Sequence, residues 1–387
     1  MSRLTIVGPS VRAAAASARR AGLVPWCADL FADADLRAMV PDAVRCPVGQ
    51  YPQLFAEILK DAPPGPWMYT GGLENHPNLI RRMADIRPLW GNGPDALVAC
   101  RSPFNVERIL REEGLPVPEV RAAGAELPAY CRWLRKPFSG SAGQGIAFVD
   151  PAEAAPSTLR SPRHYCQQFM AGTSMSAVYV RARGDLEVLG VTEQLIGTEW
   201  LNAPPFRYAG NIGPIELSSL LRDDLLRIGR ALGECCGLLG VFGVDFILHE
   251  GRPWVVEVNP RYPASVEVLE LATGCLAMQL HRAAFDPDAV LGARALPTAP
   301  FVAKGVLYAS STVVVPDYDL ESMTIHSADI PAVGEVIEPG WPILTCLASG
   351  STKEVCLGVL QTRAQHAFSI GQLSVDRPGP SSGFVRV

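Results

Sequence analysis

The sequence predicts an α/β and α+β protein of several lobes, and three observations carry that expectation. Short apolar runs alternate with helical stretches over residues 1–95, which is the pattern of a parallel α/β unit. A strand, a glycine-rich loop and a second strand follow in the order Trp133–Pro137, Ser139–Gly145, Ile146–Val149. After residue 295 the composition turns to short β-type runs broken by Gly/Pro turns. A chain of 387 residues is too long for one ordinary core, so the chemistry is expected in a cleft between lobes.

In order, Leu4–Val7, Leu23–Ala28 and Trp67–Thr70 read as strands separated by helices such as Val11–Arg20, forming a first lobe over residues 1–95. Gly8-Pro9-Ser10 follows the first strand, but no G-x-G-x-x-G occurs there, so the dinucleotide fingerprint fails. Ser102–Glu113 reads as a helix stopped by Gly114-Leu115-Pro116. It opens a small lobe over residues 96–175 that holds the glycine-rich loop and a strand over Tyr165–Met170. Pro151–Pro162 is a Pro/Ala/Ser-rich connection. A larger lobe over residues 176–295 contains strand-like alternation from Met175 to Val191 and a long loop over Gly197–Pro214. It continues with an amphipathic helix over Leu217–Cys236 and a hairpin over Gly240–Asn259. Residues 296–387 form a small β-rich lobe with a Pro/Gly/Ser-rich tail over Arg377–Gly383.

A formal charge of −5 spread over the chain leaves no basic stripe for nucleic acid, and no run of about eighteen apolar residues calls for a membrane span. The apolar N-terminal run is too short for a secretory leader. Ten scattered cysteines without a C-x-x-C pair suit reduced thiols in a cytoplasmic protein, and the six dispersed histidines argue against structural zinc. Small molecules are therefore the expected partners.

The hairpin is the most informative segment. If Glu250, Gly251 and Arg252 form a three-residue loop, Asp245 faces Glu257 across the ladder and Asn259 shares their face. Trp254, Val256, Val258, Phe246 and Leu248 then turn to the apolar side. Two facing carboxylates repel, and a hard divalent cation such as Mg2+, with Mn2+ as a substitute, offsets the cost; Asp245, Glu257 and the amide oxygen of Asn259 are its candidate ligands. Arg261 follows as a donor for phosphate or carboxylate oxygens. The alternative is an edge hairpin whose polar face meets water.

Lys136 and the loop Ser139, Gly140, Ser141, Gly143, Gln144 read as an anion cradle, against the alternative of an ordinary Gly/Ser turn. Gln167, Gln168, Phe169 and Met170 form a strand edge able to read a flat base, or plain sheet. Glu74 and Asn75 stand where open α/β sheets bind ligands, and the alternative there is a capped turn. Trp200, Arg207, Tyr208 and Asn211 on the long loop are candidate substrate contacts.

Taken in order, Arg-Lys136-Pro, the glycine-rich flap, the strand before Ala-Gly172, Gly-Val-Asp245-Phe and Glu257-Val-Asn259-Pro-Arg261 resemble the ATP-grasp superfamily over roughly residues 96–295. Residues 1–95 resemble the lobe that often precedes it. The resemblance implies Lys136 and Arg261 as catalytic phosphate ligands, an adenine hinge at Gln167–Met170, Ser174 at the position of a frequent acidic residue, and ATP with Mg2+. Two departures stand out. A lysine common before the Gly-Leu-Pro turn is replaced, with Arg101 nearby, and a hinge glutamate appears as Gln168. The implied reaction is phosphoryl transfer from ATP to a carboxylate and capture by an amine, in a cytoplasmic enzyme that could form a homodimer. A carboligase-like branch associated with tetrahydromethanopterin- or methanofuran-linked one-carbon metabolism is the nearest resemblance. A bicarbonate-activating carboxylase-like enzyme and a nucleotide-binding sensor are the alternatives.

Overall fold

The computed structural model describes residues 2–149, 163–292, 299–372 and 385–386; the connection Pro151–Pro162 and the tail Arg377–Gly383 lie outside these described residues. Four parallel strands build the first sheet, in the spatial order Val44–Arg45, Val24–Asp29, Arg3–Val7, Trp67–Tyr69. Leu4, Ile6 and Val7 have no exposed surface, as expected where helices cover both faces of a parallel sheet. Helices Arg12–Arg20 and Pro77–Ile86 run from the carboxyl ends of two of these strands, so the turns before them gather at one edge.

The small antiparallel sheet orders Val120–Ala122, His164–Gln168, Trp133–Pro137 and Ala147–Val149. Trp133, fully buried, anchors its core against Leu127 and Cys166. The helix before it spans Pro103–Glu112, with Ser102 Oγ accepting the Asn105 N–H at 3.3 Å and Gly114 ending it at φ +65°.

An eight-stranded antiparallel sheet forms the largest element. Its order is Arg252–Asn259, Gly240–His249, Thr173–Ala182, Asp185–Ile196, Tyr208–Gly213, Phe301–Tyr308, Pro342–Gly350, Ser327–Ala328. The alternating run from Met175 is thus a hairpin turning at Arg183 and Gly184, both at positive φ. The helix Ser219–Cys235 packs Leu225, Ile228 and Leu232 on Phe242 and Tyr179, whose rings stack 5.0 Å apart. The region read as a loop over Gly197–Pro214 instead supplies a 3-10 turn at Glu199–Leu201 and the inner strand Tyr208–Gly213. After residue 299 two long strands extend the same sheet. A twenty-residue helix, Lys353–Gln372, covers them and was not singled out by hydropathy.

Buried charges tie these regions together. Arg12 of the first lobe pairs with Glu267 and, at 3.1 Å, with Asp329; Lys304 reaches Glu267 at 3.3 Å. Asp35 accepts the N–H groups of Asp329 and Ile330, each at 3.0 Å. The burial opposes ionisation of Glu267, but Arg12 and Lys304 outweigh it and hold its carboxyl well below the usual range.

His281 offers a test of the packing. Its Nδ1 accepts the Val241 N–H at 2.9 Å while Nε2 lies 3.1 Å from the Trp90 carbonyl, and burial lowers its pKa to about 4. The folded value lies below the unfolded one, so the contribution is full above pH ~6.5 and is lost as pH falls toward 4, by about 3 kcal/mol. The melting-temperature gap between wild type and His281→Gln is therefore expected to be wide at pH 7.5 and to close by pH ~4.5; a constant gap contradicts the assignment.

Candidate active site

A cleft of about 1000 Å³ opens where the lobes meet, lined by Thr70, Gly71 and Glu74 of the first lobe and Lys136, Gly140–Gly143 and Gln167–Met170 of the small sheet. The large sheet adds Ser174, Ser176, Asp245, Glu257, Asn259 and Arg261. Among the described residues no helix is long and apolar enough to cross a membrane, and no group of three or more His, Cys, Asp or Glu side chains could hold a metal.

Asp245 does pair with Glu257, but by a different route from the three-residue loop. Glu250 and Gly251, at φ +48° and +75°, make a two-residue turn that sets His249 opposite Arg252. A bulge at Val256 then shifts the register by one residue and restores the Asp245–Glu257 pair. The bulge also re-aims side chains. Val255, not Val256, enters the core with Phe246 and Leu248, while Val256 lines the cleft and Trp254 is half-buried beside His249.

The polar side chains on this face bond to one another. Asn259 Nδ2 donates to Asp245 Oδ2 at 2.9 Å, and Asn259 Oδ1 accepts from Arg261 at 3.0 Å. Arg261 Nε donates to Glu74 at 3.1 Å, and Arg101 pairs with Glu257 at 2.5 Å. Burial, then the charge of Glu257, pushes the Asp245 carboxyl up to about 6. Burial acts the same way on Glu257, but Arg101 and then Lys136 outweigh it and lower its pKa. Two half-buried carboxylates paired across the hairpin, with the Asn259 amide bonded to Asp245 through its nitrogen and carrying its oxygen on the Arg261 side, are a donor set rich in hard oxygens that fits a divalent cation. Lys136 Nζ, almost fully buried, donates to Gln167 Oε1 at 3.1 Å and to the Val256 carbonyl at 3.3 Å, so it reaches from the small sheet to the carboxylate face.

The glycine-rich loop lies folded over the cleft. The Tyr208 N–H donates to the Ala142 carbonyl at 3.1 Å, and the Gly140 carbonyl accepts from Asn75 at 3.3 Å and Arg101 at 3.4 Å. Phe148 contacts Phe169 and Phe206 edge-on, with Arg132 over its ring at 3.8 Å, giving the cleft an apolar end beside the Gln167–Met170 segment.

Several expected contacts lie elsewhere. Ser139 is exposed and does not line the cleft, because the loop turns its following residues inward. Gln144 faces a recess of about 60 Å³ behind the loop, beside Arg101 and Lys136. The Gln168 side chain is taken by the Glu119 N–H at 3.1 Å. Trp200 packs into the C-terminal core, and Arg207 lies over the Tyr308 ring at 5.4 Å; neither lines the cleft. Asn75 acts on the loop from outside, whereas Tyr208 and Asn211 do line the cleft and are hydrogen-bonded to each other, with Asn211 donating to Thr192 at 2.8 Å. Arg12, Ser176, Phe148, Phe206, Lys304 and Asp329 were missed. The signal for Arg12 and Lys304 is a single charge inside an otherwise apolar run, Val11-Arg12-Ala13 and Val302-Ala303-Lys304-Gly305-Val306.

Residues 100–265 match a family model described as an ATP-grasp domain. An uncharacterised protein of Methanocaldococcus jannaschii is 24% identical over 285 residues, covering 71% of this chain and 68% of that one. The carbamoyl phosphate synthase large chain of Pasteurella multocida is 28% identical over 177 residues, 46% of this chain, and this chain spans only 14% of its length. Among solved structures, an L-amino acid ligase from Bacillus licheniformis superposes with TM-score 0.69 at 17% identity, covering 94% of this chain and 97% of the ligase; that likeness is one of fold.

Proposed function

Residues 100–265 are an ATP-grasp domain, and on that premise we propose that the chain is an ATP- and magnesium-dependent ligase joining a carboxylate to an amine. The observation that carries the reading is the Asp245–Glu257 pair on the wall of the cleft, with Arg261 and Lys136 beside it and the glycine-rich loop above. Asp245, Glu257 and Asn259 would hold Mg2+, which supplies charge neutralisation at the phosphates when bound.

The chain's own groups do the rest. Lys136 and Arg261 both line the cleft and offer N–H donors to phosphoryl oxygens, and the loop over Gly140–Gly143 excludes water. A carboxylate oxygen attacks the γ-phosphorus and ADP leaves; the amine then attacks the acyl carbon, with inorganic phosphate and a proton released. Phe148, Phe169 and Phe206 provide an apolar wall for the purine. Tyr208 and Asn211 are proposed to meet the acceptor side. Placement in the synthesis of a one-carbon carrier rests on sequence resemblance alone.

Mg-ATP is expected to stabilise the protein by about 2.7 kcal/mol at a hundredfold excess over Kd, read as a rise in melting temperature. ADP release is then expected in mixtures of small carboxylates with amines and not with either alone. Release driven by bicarbonate without an amine would favour the carboxylase-like reading, and the absence of both a melting shift and ADP release would sink the ligase.

A further inference from the structure

The carboxylate face is neutralised from within. Arg101 pairs with Glu257 at 2.5 Å, Arg261 takes Asn259 Oδ1 at 3.0 Å, and Asn259 takes Asp245 at 2.9 Å, so two guanidinium groups stand where a cation would. Close by are two buried polar atoms with no hydrogen-bond partner, Arg101 Nε and Glu74 Oε2. Glu74 is not ion-paired with Arg101, yet its charge acts on that guanidinium. A buried oxygen left unpaired is costly, so the present arrangement leaves a favourable contact unmade.

We propose that Arg101 is the resting counter-ion of the metal site, occupying Glu257 until a divalent cation displaces it toward Glu74. This rests on the reading that Asp245, Glu257 and Asn259 hold the metal. The balance of charge favours the exchange in that sequence: a divalent ion and a guanidinium repel when both sit at Glu257, and Glu74 Oε2 gives the guanidinium somewhere to go. The same movement reaches the loop, because Arg101 also donates to Asn75 at 3.1 Å and to the Gly140 carbonyl at 3.4 Å. A group that only cradles phosphate has no reason to engage Glu257.

The two roles predict different metal affinities without nucleotide. Mn2+ is titrated into the full chain at pH 8 and the unbound ion is followed by electron paramagnetic resonance, with folding checked by melting. Arg101→Met is expected to bind Mn2+ about tenfold more tightly than wild type, the scale of removing one nearby like charge at a partly wet site. Arg101→Lys, which keeps the charge, is expected to stay near wild type. If Arg101→Met does not melt cooperatively, Arg101→Gln is measured in its place. Unchanged or weaker binding in the neutral variant overturns the inference. Wild-type affinity retained in Glu257→Gln, or no Mn2+ bound by the wild type, instead removes the metal assignment on which it rests.

Discussion

Glu257→Gln is expected to lower ATP turnover by on the order of 10²–10³-fold or more, the scale of losing an electrostatic contact aimed at developing charge. The substitution preserves shape and removes one charge from a site where Asp245 supplies the only other carboxylate on that face of the hairpin. Arg101 keeps Asn75 and the Gly140 carbonyl as partners, so the fold is expected to survive with a modest fall in melting temperature. ADP release and melting curves on the same preparation check both halves. Turnover within about tenfold of wild type would remove Glu257 from the metal set.

Gly143→Ala is expected to lower kcat by about 10²-fold, the scale of a misplacement near 1 Å in a positioned site, and to raise the KM for ATP. Gly143 sits at φ +77°, and a Cβ there would lie 1.8 Å from the Phe206 carbonyl oxygen, so the loop could not seat beside Tyr208. Because the clash is confined to the loop and its docking edge, the melting temperature is expected to stay close to wild type. Gly251→Ala is the control. It also has positive φ, +75°, but nothing lies within 4 Å, so it should cost a little stability and leave the kinetics alone. Equal kinetics for the two variants would contradict the role assigned to the loop.

Much of the site was legible where chemistry follows local order. Lys136 before the glycine-rich loop, and Asp245 across from Glu257, are patterns of neighbours along one or two strands. Even there the path was misread, since Glu250 is not a residue expected at positive φ and a one-residue bulge is invisible in an apolar alternation; the two errors cancel at Glu257 and not at Val255 and Val256. The strand Tyr208–Gly213 escaped because Gly210 and Gly213 weaken strand propensity. Gly210 is needed there, however, because a Cβ would lie 2.0 Å from the Lys304 carbonyl. Lys304 and Asp329 were out of reach for another reason. Their partners, Glu267 and Arg12, are distant in sequence and are brought together only by tertiary packing.

That chain of charges bears on how the molecule can be divided. Arg12 lies in the helix Arg12–Arg20 of the first lobe, Glu267 in a helix spanning Ser265–Thr273, Lys304 in the strand Phe301–Tyr308, and Asp329 just after the strand Ser327–Ala328. A fragment cut to residues 96–295 would keep Glu267 without Arg12 and Lys304 and strand it as an uncompensated buried anion. The flanking regions are thus not detachable modules, and grafting or swapping them between relatives would require exchanging all four side chains together.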